Sequence, residues 1–302
     1  MPDLTGKTVL VTGANSGIGF EASRVFARKG AKVWLGCRNP DKGALAVTRI
    51  RAESPSASVE LLPIDLSSLI SVRRAAERFC AENARLDVLC NNAGVMAIPR
   101  ALTADGLEMQ LGVNHFAHFA LTGLLIERLL AAGPARIVTV SSTAHHIGHI
   151  HFDDLDGERR YHKWAAYSQS KLANLLFAFE LQRRLALRGV AALSVACHPG
   201  YADTNLQSVG PRLEGSRLAA AVFRASNALF AQSAEKGAWP TLHAATGSDV
   251  HGGDYIGPGG LGEIAGTPKQ VSASRSAHDE VAARRLWDVS VQRTAVDYRA
   301  LV

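Results

Sequence analysis

Thr12-Gly13-Ala14-Asn15-Ser16-Gly17-Ile18-Gly19 follows a short β-branched run, Thr8–Val11, and leads into Gly17–Lys29, where Ile18, Ala22, Val25 and Phe26 recur at helical spacing. A strand therefore turns sharply into a helix through three glycines. Glycine permits the tight turn and lets backbone N–H groups approach a ligand closely, and the helix N-terminus offers a favourable dipole to an anion. The pattern is Gly-xxx-Gly-x-Gly. It makes Gly13, Asn15, Ser16, Gly17, Ile18 and Gly19 candidates for cradling a pyrophosphate; a glycine turn with no ligand is the plainer alternative.

The next strand, Lys32–Leu35, runs into Gly36-Cys37-Arg38-Asn39. A carboxylate at this point would hydrogen-bond the 2′-hydroxyl of an NAD ribose, whereas an arginine suits the 2′-phosphate of NADP. No carboxylate occupies 35–39; the first is Asp41, at the start of the next helical pattern. The planar guanidinium of Arg38 matches phosphate oxygens. NADP(H) is the expected cofactor and NAD(H) the alternative, with a plain surface arginine as the reading that needs no ligand.

Outward from the turn, short apolar runs alternate with helical patterns. Strands are predicted at Val59–Ile64, Leu86–Cys90, Arg136–Val140, Ala191–Ala196 and Gly253–Ile256. Helices are predicted at Asp41–Glu53, Leu69–Glu82, Glu108–Ala132, Ala165–Arg188 and Ala277–Ala295. Such alternation predicts an α/β fold: one Rossmann-type, doubly wound parallel sheet with helices on both faces. No repeat or linker divides the chain, so residues 1–302 are read as one domain. The segment 201–233 is read as an insertion, whose apolar stretch Leu218–Phe230 serves as a substrate lid, as core or an interaction face, or as a peripheral membrane contact flanked by Arg217 and Arg224.

Composition narrows the function classes. The chain has 302 residues, 47% hydrophobic and 20% charged, as expected of a globular protein. Its net charge of +6 comes from dispersed lysines and arginines with only 6% aromatic residues, which argues against a nucleic-acid surface. Cys37, Cys80, Cys90 and Cys197 form no CxxC pair, so buried thiols in a reducing compartment are expected. No secretory signal is visible in Met1–Gly6, and no apolar run approaches the ~18 residues of a spanning helix. The expectation is a cytoplasmic protein with no transmembrane segment.

Further signals fall in order at predicted strand ends: Asp65, Asn91-Asn92-Ala93-Gly94, then Asn114, Ser141-Ser142, Tyr167-Ser168-Gln169-Ser170-Lys171 and His198-Pro199-Gly200. Tyr167 and Lys171 lie four residues apart and share a helix face. A phenol is ordinarily a poor base at neutral pH, but a neighbouring ammonium and a cationic nicotinamide ring would favour its ionised form. Tyr167 could then give a proton to a carbonyl oxygen or take one from an alcohol. Ser142 could donate a hydrogen bond to the same oxygen.

With TGANSGIG, NNAG, VSS, YSQSK and HPG in this order from about Gly6 to Ile256, the chain resembles the short-chain dehydrogenase/reductase superfamily. CRNPDKG at 37–43, SSTAHHIGHIHFDDL at 141–155 and YSQSKLANLLFAFEL at 167–181 resemble its retinol-dehydrogenase-like branch. The resemblance implies a catalytic set of Asn114, Ser142, Tyr167 and Lys171. It also selects Ser142 over Ser141 and implies that Lys171 holds the nicotinamide ribose while Asn114 anchors a water leading to Lys171. Asp65, with Leu66 beside it, either reaches the adenine edge or caps the helix that follows. Asn92, Ala93 and Gly94 would pass near the adenine ribose. Pro199, Gly200 and Thr204 would border the nicotinamide carboxamide and a phosphate, helix capping being the alternative for Thr204.

The implied activity is interconversion of a carbonyl and an alcohol on an apolar small molecule, retinoid-, steroid- or lipid-like. Rival readings are a dinucleotide sensor without turnover and a reductase of an activated C=C bond; the presence of both Tyr167 and Lys171 argues against the sensor. His145, His146, His149, His151 and His162 lack the helix-face spacing and acidic or thiol partners of a zinc site and read as a polar loop, so no metal is expected. His118 reads as packed in its helix. The helices Glu108–Ala132 and Ala165–Arg188 build dimer faces in many relatives, so a homo-oligomer is a further expectation.

Overall fold

The computed structural model describes residues 1–201 and 232–301. Its sheet contains β1 (Thr8–Thr12), β2 (Lys32–Cys37), β3 (Val59–Pro63), β4 (Val88–Asn91), β5 (Arg136–Val140), β6 (Leu193–Cys197), β7 (Tyr255–Pro258) and β8 (Pro268–Gln270). Their order is β3-β2-β1-β4-β5-β6-β7-β8. All neighbours pair in parallel except β7 and β8, which pair antiparallel. Because β1 to β3 wind one way and β4 to β6 the other, the winding reverses between β1 and β4. A crevice at that reversal is where ligands bind in such sheets.

Both faces of the central strands are apolar, with alternate residues facing opposite layers. Val9, Val11, Val33, Leu35, Val138, Val140, Val195 and Cys197 pack on one side, with α1 (Gly17–Arg28), α2 (Pro40–Glu53) and α9 (Trp239–Thr246). Leu10, Trp34, Leu89 and Ile137 face the other side. There they meet α3 (Leu69–Glu82), α5 (Ala117–Leu124), α7 (Lys163–Leu187) and α10 (Glu280–Thr294). Phe119 centres an aromatic cluster on that side, its ring centroid 5.0 Å from Trp287, 5.0 Å from Tyr298 and 5.5 Å from Phe177.

The structure departs from the sequence reading in one long element. The continuous helix expected over Glu108–Ala132 is instead α4 (Met109–Leu111), a π-helical turn (Gly112–Phe116), α5, and α6 (Ile126–Ala131). Leu111, Val113, Phe116, Ala117, Phe119, Ala120 and Leu121 are all buried. With every face buried, polar and apolar residues alike, periodicity carries no trace of the break. A short helix α8 (Ala234–Gly237), α9 and the edge strand β8 were not anticipated either. The C-terminal helix starts at Glu280, where Asp279 accepts a hydrogen bond from the Ala282 N–H at 2.9 Å, and ends before Ala295, which has φ +50°.

The proposed lid Leu218–Phe230 and Thr204 lie outside the described residues. Among the described residues, no helix is long and apolar enough to cross a membrane, and no three His, Cys, Asp or Glu side chains group so as to hold a metal ion.

Candidate active site

The glycine turn sits at the end of β1, beside the reversal in sheet order. Gly13 has φ +68° and Gly17 φ +56°, a region other residues enter at a cost. A Cβ on Gly13 would lie 3.0 Å from Ala93 Cα, and one on Gly19 would lie 2.5 Å from Asn92 Nδ2 and 2.6 Å from the Gly13 carbonyl oxygen. The turn is thus wedged against the segment after β4. Thr12 fixes that contact: its hydroxyl accepts from the Asn92 N–H at 2.9 Å and the Ala93 N–H at 3.0 Å, while Asn92 Nδ2 donates to Thr12 O at 2.7 Å. Ser16 is the N-cap residue of α1 and makes no side-chain capping hydrogen bond. Ile18 and Gly19 are buried, whereas Asn15, Ser16 and Gly17 are half-buried at the surface.

Gly94 joins this turn to the Tyr–Lys pair. A Cβ there would be 3.0 Å from Asn114 Oδ1 and 3.7 Å from Lys171 Nζ. The Asn114 side chain is engaged at both polar atoms: Oδ1 accepts from Val95 N–H at 2.8 Å, and Nδ2 donates to Val95 O at 2.9 Å and Ser170 Oγ at 2.8 Å. Its π-helical turn therefore pins the chain after Gly94 to α7. The backbone carbonyl of Asn114 meets His118 Nδ1 at 3.0 Å and, like Oδ1, keeps a second acceptor site for a water.

Tyr167 and Lys171 occupy the first turns of α7 and are 5% and 3% exposed. Lys171 Nζ donates to Val140 O at 3.1 Å and lies 5.7 Å from the Tyr167 ring centroid. Burial pulls the ammonium down to about 8. Burial also pushes the Tyr167 phenol up to about 12, against a lowering hydrogen bond with Ser142. The expected fall counts on a cationic nicotinamide ring as well as the ammonium; for the enclosed phenol by itself, loss of solvation dominates.

The two serines after β5 have different jobs. Ser141 is buried and its hydroxyl donates to Lys171 O at 2.7 Å, tying β5 to α7. Ser142 is half-buried; its hydroxyl meets the Tyr167 phenol and accepts from Ala144 N–H at 3.2 Å.

Arg38 is exposed one residue past β2, and Gly36, two residues earlier, accepts a hydrogen bond from Gly13 N–H at 2.8 Å. Asp41 lies in the first turn of α2. Asp65 Oδ1 accepts from the Ser67 N–H at 2.9 Å and hydroxyl at 2.7 Å, closing a turn. Capping of α3 falls to Ser68, which corrects that alternative for Asp65. Leu66 is buried in the core beneath. Pro199 O accepts from Gln232 Nε2 at 2.6 Å, and Gly200 has φ +69° with its Cα facing the Ile264 carbonyl, where a Cβ would lie 2.3 Å away.

His118 does more than pack. It is fully buried, with Nε2 2.9 Å from the Thr12 hydroxyl and Nδ1 at the Asn114 carbonyl. Burial lowers it to about 4, so it is neutral. The carbonyl must take the Nδ1 proton, and Nε2 then accepts from Thr12. The i to i+4 spacing from Asn114 was the only sequence signal. These glycine contacts and the cluster at the end of β5 fit a dinucleotide laid across the sheet from Arg38 to Tyr167.

The family model for short chain dehydrogenases matches residues 7–211. Retinol dehydrogenase 12 of Homo sapiens is 42% identical over 291 residues, 96% of this chain and 86% of that protein. Human retinol dehydrogenase 11 is 43% identical over 289 residues, 95% of this chain and 85% of that one. An uncharacterized protein from Mycobacterium paratuberculosis has a similar structure, with a TM-score of 0.81 and 42% identity over 99% of this chain and 97% of that chain. A Beutenbergia cavernae structure described as an NAD(P) dependent gluconate 5-dehydrogenase with bound NADP at low occupancy has a TM-score of 0.63 and 30% identity, covering 84% of this chain and 95% of that chain.

Proposed function

The chain belongs to the short-chain dehydrogenase/reductase superfamily and to its retinol-dehydrogenase-like branch, and from that premise we propose that it uses NADP(H) to interconvert a carbonyl and an alcohol on an apolar substrate of retinoid, steroid or lipid type. The observation that carries this reading is the convergence of Tyr167, Lys171, Ser142 and Asn114 at the end of β5, joined through Gly94 to the glycine turn.

Bound nicotinamide dinucleotide supplies the hydride that is gained or lost at carbon. The protein's residues handle position and proton. Gly13, Asn15, Ser16, Gly17, Ile18 and Gly19 hold the pyrophosphate through backbone N–H groups and the start of α1. Arg38 meets the 2′-phosphate, which makes NADP(H) the preferred cofactor. Asp65 and Leu66 border the adenine, Asn92, Ala93 and Gly94 its ribose, and Pro199 and Gly200 the nicotinamide end.

The Tyr167 hydroxyl donates its proton to the carbonyl oxygen in reduction and accepts one from the alcohol in oxidation. Burial pushes the phenol up and so favours its proton-bearing form. Ser142 donates a second hydrogen bond to the same oxygen and stabilises the charge developing there. Lys171, softened to about 8 by burial, carries its ammonium at neutral pH and holds the nicotinamide ribose hydroxyls. Asn114 fixes the chain after Gly94 and offers its carbonyl to a water leading toward Lys171. A reducing, cytoplasmic setting is part of the same reading, and the free thiols at all four cysteines agree with it.

The test is a panel of aldehydes, ketones and alcohols assayed with NADPH and NADH, in wild type and Tyr167→Phe. NADPH-linked turnover of apolar carbonyls should fall by roughly 10²–10⁴-fold in the variant while dinucleotide affinity stays. Equal turnover in the two proteins would remove Tyr167 from the chemistry.

A further inference from the structure

His145 stands three residues after Ser142, in the 3₁₀ turn Thr143–Ile147, and is fully buried. Its Nδ1 lies 2.7 Å from the Ser142 carbonyl oxygen, which also accepts the His145 backbone N–H at 3.0 Å. On the far side of the ring, Nε2 accepts the backbone N–H of Ser274 at 3.0 Å. A carbonyl can only accept and an amide N–H can only donate, so both partners demand the same state: a neutral imidazole protonated on Nδ1. The ring is also fixed edge-on against Tyr255 at 5.4 Å and lies 4.0 Å from the ring of His146. One imidazole therefore spans from the serine beside Tyr167 to the loop between β8 and α10. That loop lies outside the stretch matched by the family model, which ends at 211.

We propose that His145 is a positioning residue: gripped from behind by the Ser274 N–H, it holds the Ser142 backbone so that the serine hydroxyl stays on the substrate oxygen, making the C-terminal segment a working part of the active site. This rests on the reading of Ser142 given above. The buried polar ring has no other occupation among the described residues, since both nitrogens are spent on this bridge. The Ser142 hydroxyl accepts from Ala144 N–H, and the carbonyl end of the residue is left to His145, whose backbone N–H and ring both donate to it. Displacement of a catalytic group by about 1 Å is enough to cost on the order of 10²-fold in rate.

The bridge can be cut at one atom. Ser274 has φ −63°, the value proline imposes, so Ser274→Pro suits the backbone there; it removes the N–H donor, and its Cδ, set where the amide hydrogen pointed at Nε2, pushes the imidazole out of the bridge. Four proteins are compared with NADPH and an apolar aldehyde: wild type, Ser142→Ala, Ser274→Pro and the double variant. The expected result is a kcat about tenfold lower in Ser274→Pro, an unchanged KM for NADPH, and no further loss when Ser274→Pro is added to Ser142→Ala. Additive losses in the double variant, or wild-type kcat in Ser274→Pro alongside a crippled Ser142→Ala, would overturn the proposal. Wild-type kcat in Ser142→Ala would instead overturn the role of the serine itself. If Ser274→Pro does not fold, His145→Leu and His145→Asn decide: asparagine can still donate to Ser142 O and should retain more kcat than leucine, while equal activity of the two refutes the bridge.

Discussion

Replacing Gly19 by alanine adds one methyl group at the most crowded point of the glycine turn. The new Cβ would lie 2.5 Å from Asn92 Nδ2 and 2.6 Å from Gly13 O. Neither neighbour yields easily. The first is held by its hydrogen bond to Thr12 O at 2.7 Å, and the second is backbone. Overpacking of this kind costs about 1–3 kcal/mol, and loss of the Asn92 hydrogen bond adds roughly 0.5–1.5 kcal/mol. Alanine returns about 0.8–1.0 kcal/mol as a better helix former within α1. The balance is a destabilisation of about 0.5–3.7 kcal/mol, readable by urea unfolding. The strain falls on the turn that would hold the pyrophosphate, so NADPH affinity should drop by at least about tenfold, equivalent to ~1.4 kcal/mol, in a fluorescence titration. Gly133→Ala is the control: at φ +74° with no atom within 4 Å of its Cβ, it should cost about 1 kcal/mol of stability and no affinity. A Gly19→Ala protein that binds NADPH as tightly as wild type would refute the reasoning, because the cradle would then have room the geometry denies.

Three further outcomes are expected. Arg38→Asp should raise KM for NADPH by at least about tenfold and leave that for NADH little changed, since only the 2′-phosphate loses a partner; equal effects on both cofactors would detach Arg38 from that phosphate. Lys171 is lowered by burial to about 8 from 10.5, so the folded state holds its proton less tightly than the unfolded chain. Stability should therefore rise with pH between about 8 and 10.5 relative to Lys171→Met, by up to roughly 1.4 kcal/mol per pH unit, and the difference should be flat below pH 8; a flat difference throughout would mean that burial does not oppose the charge. Phe119→Ala empties a fully buried site ringed by Trp287, Tyr298 and Phe177 and should cost about 3–5 kcal/mol in chemical denaturation, a loss under 1 kcal/mol showing that the cluster closes over the gap.

Local covalent pattern determined a good deal by itself. Three glycines in eight residues require a turn of positive φ, and the structure has it at Gly13 and Gly17. Alternation of β-branched runs with helical spacing gave the strand–helix succession from β1 to β6, because each strand is apolar on both faces and each helix carries a buried stripe. The four-residue spacing put Tyr167 and Lys171 on one side of a helix. These are short-range consequences of backbone geometry, and one chain is enough to read them.

What tertiary structure alone decided depends on groups far apart along the chain. The break at Gly112–Phe116 was invisible because all its surroundings are buried, yet it is what brings Asn114 onto Val95 and Ser170. The direction of the Tyr167 shift follows from enclosure, which no neighbour in sequence reports. The division of labour between Ser141 and Ser142 depends on which hydroxyl meets Lys171 O and which meets Tyr167. His118 and His145 looked like filler and a polar loop; each has both ring nitrogens committed, to Thr12 and Asn114 in one case and to Ser142 and Ser274 in the other. A buried polar group must find its partner wherever the fold places one, and in the last case it lies 129 residues away.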